Sequence, residues 1–164
     1  MMETSFSVKN RIKAVSTLSY LKKMTLNNYP PNLNFILIDD DVIQLFLIKK
    51  TLNDHFSFSK VLSFSMPEAA LEYIYNLKET DFKNQIILLD LNMPAMTGWE
   101  VLDHLQIKYG GNLPANAKLY ILSSSDLPED ISKSNDYKMI SGFYTKPLDK
   151  IKIDEILETA FNWK

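Results

Sequence analysis

Apolar residues gather in four short runs, and each run ends on a polar residue of a different kind. Phe35-Ile36-Leu37-Ile38 leads into Asp39-Asp40-Asp41, Ile86-Ile87-Leu88-Leu89 into Asp90, Leu119-Tyr120-Ile121-Leu122 into Ser123-Ser124, and Gly142-Phe143-Tyr144-Thr145 into Lys146-Pro147. Short continuous apolar runs between longer stretches of helical periodicity read as strands buried on both faces of a parallel sheet. From Leu33 onward the pattern predicts strands over 35–38, 60–64, 86–89, 118–122 and 142–145. Helices are expected between and after them, near 42–54, 66–78, 98–108, 127–137 and 150–162. Parallel neighbours need right-handed crossovers, which place helices on both faces of the sheet. The expected fold class is therefore α/β: a three-layer α/β/α sandwich around a five-stranded parallel sheet.

Local signals mark several helix starts. Ser65 with Glu68, and Asp126 with Glu129, have capping-box spacing with Pro67 and Pro128 inside the first turn. Asp41 is expected to cap the helix that begins at Val42. The last helix carries Ile153, Ile156, Leu157, Ala160 and Phe161 on one side. Residues 1–32 stand apart, with Val8, Ile12, Val15, Leu18, Tyr20, Leu21 and Met24 at roughly helical spacing before a breaker, Asn27-Asn28-Tyr29-Pro30-Pro31-Asn32. The expected organisation is an N-terminal extension and linker over 1–32 and one domain over 33–164.

A chain of 164 residues, 46% hydrophobic and 23% charged, suits one ordinary globular domain with its own core. The absence of cysteine excludes disulfides, thiolate nucleophiles and cysteine-ligated metals. No apolar stretch approaches a membrane span, and the one after Lys9, Arg11 and Lys13 is broken by Ser16, Thr17, Ser19 and Lys22-Lys23, which rules out a signal-peptide core. A cytoplasmic location without membrane attachment is expected. Residues 1–32 hold five basic side chains and one acid (net +4), leaving thirteen basic and nineteen acidic residues for 33–164 (net −6). An acidic domain without arginine is a poor partner for a nucleic-acid backbone, so no direct nucleic-acid contact is expected.

In open α/β sheets the ligand site lies beyond the carboxyl ends of the strands. Asp39, Asp40, Asp90, Ser123 and Lys146 should therefore converge. Taken alone, three aspartates after a strand are turn and cap residues. Capping explains Asp41, but not Asp39, Asp40 and a second strand-end carboxylate at Asp90. Carboxylates about 4 Å apart repel by several kcal/mol at an effective dielectric near 20, so such a cluster needs a cation. Hard oxygen donors suit Mg²⁺. An EF-hand is excluded because its sixth position requires glycine and Gln44 stands there. His55 and His104 are isolated, which argues against zinc. A carboxylate beside Mg²⁺ can attack phosphorus. The added phosphoryl charge then calls for Lys146, the Ser123 hydroxyl and the Ser124 N–H around it.

The same residues carry a family resemblance. Ile38-Asp39-Asp40-Asp41, Leu89-Asp90-Leu91-Asn92-Met93-Pro94 with Gly98 following, Leu122-Ser123-Ser124 and Phe143-Tyr144-Thr145-Lys146-Pro147 resemble, in order and spacing, the receiver domain of two-component response regulators. The resemblance covers about residues 33–164. It implies a flavodoxin-like sheet of order 2-1-3-4-5, with Asp90 as phosphoacceptor. It also implies Mg²⁺ held by Asp40, Asp90 and the Asn92 carbonyl, with Asp39 acting through water. Ser123 would contact the phosphoryl group and Lys146 would pair with it. Ser123 and Phe143 would form the switch, and the Lys146-Pro147 bond would be cis. The implied donor is a sensor histidine kinase or a histidine phosphotransfer protein. A downstream protein would dock on the face of helix 4, strand 5 and helix 5, with the receiver a monomer or weak dimer. Because one helix and no output module follow Lys146, a stand-alone receiver working by contact or phosphorelay is expected. Its chemistry is limited to its own phosphorylation and dephosphorylation, so it is not expected to be an enzyme.

Two other readings compete. A degenerate receiver would serve only as a docking module, although every acidic, hydroxyl and lysine position is filled. A phosphohydrolase of the haloacid-dehalogenase type needs a second Asp two residues after the nucleophile, where Asn92 stands. Met93 and Ser125 are positioned to admit or block water at the site. Trp99 is a candidate fluorescence reporter, and Trp163, Phe56, Phe58 and Phe64 read as packing residues.

Overall fold

The computed structural model describes residues 30, 32–55, 60–124 and 127–161, so the expectations for the leader and for Phe56, Phe58, Ser125, Asp126 and Trp163 lie outside it. In chain order the elements are β1 (Asn34–Ile38), α1 (Val42–His55), β2 (Lys60–Phe64), α2 (Pro67–Tyr75) and β3 (Gln85–Asp90). Then follow α3 (Gly98–Tyr109), β4 (Lys118–Ser123), α4 (Pro128–Ser134), β5 (Ile140–Thr145) and α5 (Lys150–Phe161). The strands form one sheet of order β2-β1-β3-β4-β5, and every pairing is parallel. This is the expected flavodoxin-like α/β/α fold.

Period-two alternation along the strands divides the core between two faces. Ile36, Ile38, Ile87, Leu89, Leu119 and Ile121 share one buried cluster with Ala70, Leu71 and Ile74 of α2 and Val101, Leu102 and Leu105 of α3. The alternate residues, Phe35, Leu37, Leu88, Tyr120 and Leu122, are equally buried. On that side the Tyr120 hydroxyl donates to the Ile156 carbonyl of α5 over 3.2 Å. Burial pushes the Tyr120 phenol well above its ordinary range. As expected, Ile153, Ile156, Leu157 and Ala160 are the buried residues of α5, with Phe161 half-buried. Phe64 is half-buried against Tyr73, with ring centroids 5.4 Å apart.

One cap expectation is corrected. The N-cap of α2 is Met66, not Ser65, and it makes no side-chain cap bond. Pro67 occupies the first helical position and holds its predecessor in an extended conformation (φ −120°, ψ 119°), so Ser65 falls one residue too early. The N-cap position of α4 is Leu127, also directly before a proline. Both helices are shorter than expected, and β5 begins at Ile140 rather than Gly142. Asp41 does cap α1: its Oδ1 accepts from the N–H groups of Ile43 (2.8 Å) and Gln44 (3.2 Å).

Candidate functional site

The chain goes from β1 outward to β2 and then returns to the other side of β1 as β3, so the order of the sheet reverses between β1 and β3. Open α/β sheets form a crevice at such a switch point. Asp39 and Asp40 directly follow β1 and Asp90 is the last residue of β3, which brings all three acids to this crevice. One carboxylate oxygen from each lies within 4.8 Å of the others. Asp39 and Asp90 are buried and Asp40 is exposed. Asp39 is anchored through Oδ1, which accepts from the Asp41 N–H over 3.0 Å.

Lys146, directly after β5, closes the cluster. Its Nζ lies 2.7 Å from Asp39 Oδ2 and 3.0 Å from Asp90 Oδ1, with the lysine side chain 8% exposed and each partner 4%. These two oxygens are fully buried and take no hydrogen bond from any other described group. Burial raises the Asp39 carboxyl above its ordinary value, against the opposing pull of Lys146. Burial alone would lower the Lys146 ammonium, but the hydrogen bond and charge of Asp39, joined by Asp90, prevail and raise it. Three carboxylates against one ammonium leave the crevice negative, with hard oxygen donors free on Asp40 and Asp90. That donor set fits a divalent cation such as Mg²⁺.

Ser123 ends β4, fully buried, opposite Thr145 of β5. Its carbonyl accepts from the Lys146 N–H over 2.8 Å, so the hydroxyl-bearing strand end is tied directly to the lysine. The Lys146-Pro147 bond is cis. Phe143 pairs in register with Ile121 and lies half-buried against the core. Asn92 is exposed in the loop after β3, and Met93 beside it is buried. His104 is exposed on α3 and, among the described residues, is not part of the acid cluster.

The loop from Asp90 to α3 is held by a capping box and by a close backbone approach at Gly98. Thr97 and Glu100 form a capping box: the Thr97 N–H donates to Glu100 Oε2 (2.8 Å) and the Glu100 N–H to Thr97 Oγ1 (3.3 Å). The Gly98 N–H donates to the Leu91 carbonyl over 3.0 Å. A Cβ at Gly98 would overlap the Asp90 carbonyl oxygen and stand 2.8 Å from the Leu91 Cα, so only glycine permits this approach. Beside Asp40 opens a cleft of about 390 Å³, walled by Met66, Pro67, Met93, Pro94 and Ala95.

The sequence profile of the response regulator receiver domain matches residues 35–158. The chain belongs to the receiver-domain family. Among solved receivers it is similar to a response regulator receiver protein of Dyadobacter fermentans, at 29% identity and TM-score 0.67, covering 78% of this chain and 97% of that one. It is also similar to a two-component response regulator of Cytophaga hutchinsonii, at 26% identity and TM-score 0.67, over 79% and 97% of the two chains. The chemotaxis protein CheY4 of Vibrio cholerae, 18% identical with TM-score 0.65 over 79% of this chain and 99% of that one, shares the fold. No curated protein sequence matches the chain. As a receiver, the chain is a signalling module of two-component systems rather than an enzyme in the ordinary sense, and its acid cluster is of the kind in which receivers hold Mg²⁺. No described helix is long and apolar enough to cross a membrane.

Proposed function

We propose that this receiver, spanning residues 33–164, accepts a phosphoryl group from a phosphohistidine donor onto Asp90. Mg²⁺ would be held by Asp40, Asp90 and the Asn92 carbonyl, with Asp39 acting through water. The observation that carries the reading is the Lys146 ammonium, 3.0 Å from Asp90 Oδ1 while also paired with Asp39, at the mouth of a three-carboxylate crevice. An Asp90 oxygen attacks phosphorus, the new P–O bond forming as the donor's P–N bond breaks and its electron pair returns to the imidazole. Mg²⁺ held by these residues would supply charge neutralisation at the transferring phosphoryl oxygens. Lys146, already beside Asp90, pairs with a phosphoryl oxygen, and the Ser123 hydroxyl and Ser124 N–H supply hydrogen bonds to the added charge. Movement of Ser123 toward the phosphoryl group would draw Phe143 inward, since both lie on adjoining strands at the same end of the sheet.

Surface chemistry supports protein partners. A donor must bury surface beside the acids, and α1 starts there with Val42, Ile43, Phe46 and Leu47 exposed. That apolar row suits a sensor histidine kinase or a histidine phosphotransfer protein. Leu127 and Ile131 of the α4 region and Ile151 of α5 are exposed as well, which suits a downstream protein on the α4–β5–α5 face. On this reading the receiver works in the cytoplasm.

The test is intact-protein mass after incubation with acetyl phosphate, with and without Mg²⁺, for wild type and Asp90→Asn. The expected result is a single Mg²⁺-dependent phosphoryl adduct that disappears in the variant. A folded protein that takes up no phosphoryl group and binds no beryllofluoride overturns the reading in favour of a phosphorylation-independent docking module.

A further inference from the structure

The first turn of α5 contains a lysine whose placement the helix itself does not explain. Lys152 is the third residue of α5, near the positive end of the helix dipole, where a cation is disfavoured. The N-terminal N–H groups are already served by Asp149, whose Oδ1 accepts from the Lys152 N–H (3.0 Å) and whose carbonyl accepts from Ile153. The Lys152 ammonium instead turns back onto the segment carrying Lys146. Its Nζ donates to the Thr145 carbonyl (2.6 Å), the Thr145 hydroxyl (3.3 Å) and the Pro147 carbonyl (3.0 Å). These acceptors belong to the residues on either side of Lys146, whose own N–H is bound to Ser123. An ammonium has three hydrogens to donate, and here each has an acceptor on that segment.

We propose that Lys152 is a positioning residue for Lys146, bracing the Thr145–Pro147 backbone so that the Lys146 ammonium stands between Asp39 and Asp90. A long lysine side chain free at its root would sample many rotamers; a backbone held at Thr145 and Pro147 fixes where it starts. Charge-assisted bonds to carbonyls are roughly twice as strong as neutral ones, so the brace is stiff despite using one side chain. The role rests on the reading in which Lys146 assists phosphoryl transfer to Asp90.

The experiment follows adduct formation from acetyl phosphate by intact mass, on the full chain at saturating Mg²⁺, for wild type, Lys152→Met, Lys152→Arg and Lys146→Met. Displacement of a reacting group by a fraction of an ångström to 1 Å costs about tenfold to a hundredfold in rate. Lys152→Met is therefore expected to slow phosphorylation about tenfold with Mg²⁺ affinity unchanged, and Lys152→Arg, which keeps a cationic donor, to recover most of the loss. Should Lys152→Met fail to fold, Lys152→Gln takes its place with the same expectation. Phosphorylation of the folded variant at the wild-type rate, while Lys146→Met is impaired, overturns the positioning role and leaves the reading of Asp90 intact. An equal loss of Mg²⁺ affinity also overturns it, because that would mark a general disturbance of the crevice. If wild type itself forms no adduct, the reading of Asp90 fails and the proposal falls with it.

Discussion

Lys146 Nζ sits 2.7 Å from Asp39 Oδ2 in a pair where neither side chain is more than a tenth exposed. The pair makes the stability of the cation-free protein depend on pH in a particular direction. Asp39 has a folded-state value raised above 3.8, so the folded chain holds its proton more tightly than the unfolded chain. Stability is therefore greater on the acid side and falls as pH rises from 3.8 through the raised value. Lys146 is also raised, above 10.5, so its contribution is fully present below 10.5 and is lost as pH rises through its folded value. Glu100, lowered by its bonds to Thr97, acts in the opposite sense, so the check is a difference: the midpoint of wild type relative to Asp39→Asn, both in EDTA, should fall as pH rises through the acid window. A difference that rises through the same window contradicts the assignment.

Mg²⁺ should stabilise the fold by mass action, by about 2.7 kcal/mol when the ion is at a hundred times its dissociation constant. Asp40 is exposed but lies within 4.8 Å of two other carboxylates, so Asp40→Ala should leave the EDTA midpoint unchanged or raise it by relieving their repulsion. The same variant should lose most of the stabilisation by Mg²⁺. Calorimetry with and without the ion separates the two effects, and an Asp40→Ala protein that keeps the full shift would remove Asp40 from the ligand set.

Gly98→Ala forces a methyl against the Asp90 carbonyl and the Leu91 Cα. The obstacle is backbone, which cannot swing aside as a side chain does. A loss of at least about 2 kcal/mol is expected, at the upper part of the usual overpacking range. Urea denaturation measures it. The damage should extend to Mg²⁺ affinity, because the strained loop carries Asn92. An unchanged midpoint would mean that the loop relaxes freely.

Trp99 stacks on Tyr137 at 5.8 Å between centroids and has the Lys133 ammonium 4.5 Å from its ring. Tyr137 donates to Asp103 over 2.7 Å, and burial with that bond pushes its phenol up to about 12. Trp99 is thus packed between the start of α3 and the α4 region, one residue from the Gly98 contact with the acceptor loop. In a Trp163→Phe background, beryllofluoride with Mg²⁺ should change Trp99 emission, and Lys133→Ala should alter the emission of the ligand-free protein. A spectrum indifferent to beryllofluoride would show that the start of α3 does not sense the acceptor site.

Much of this was legible in the chain itself. Runs such as Ile86–Leu89 have no polar face and alternate with helix-length stretches, which together read as strands buried on both faces of a parallel sheet, so element type and order followed from patterning. Strand-end acids, hydroxyl and lysine followed in turn, because the topology sends every strand's carboxyl end to one edge. Boundaries were less legible where proline acts. Pro67 sets the start of α2 one residue later than the Ser65 cap pattern suggested, since a proline constrains its predecessor more strongly than a hydroxyl attracts an N–H. The Thr97–Glu100 box, a Thr followed three residues on by Glu, is likewise a pattern readable in the sequence.

What the amino-acid order determined alone is therefore the α/β alternation, the acid–hydroxyl–lysine set and the family to which it belongs, because periodicity and strand-end chemistry are local properties. Tertiary structure alone decided which oxygens Lys146 bridges, why position 98 tolerates no Cβ, and that Lys152 reaches back to Thr145 and Pro147. Lys152 makes that contact only because α5, packed against the sheet, turns its third residue onto the end of β5.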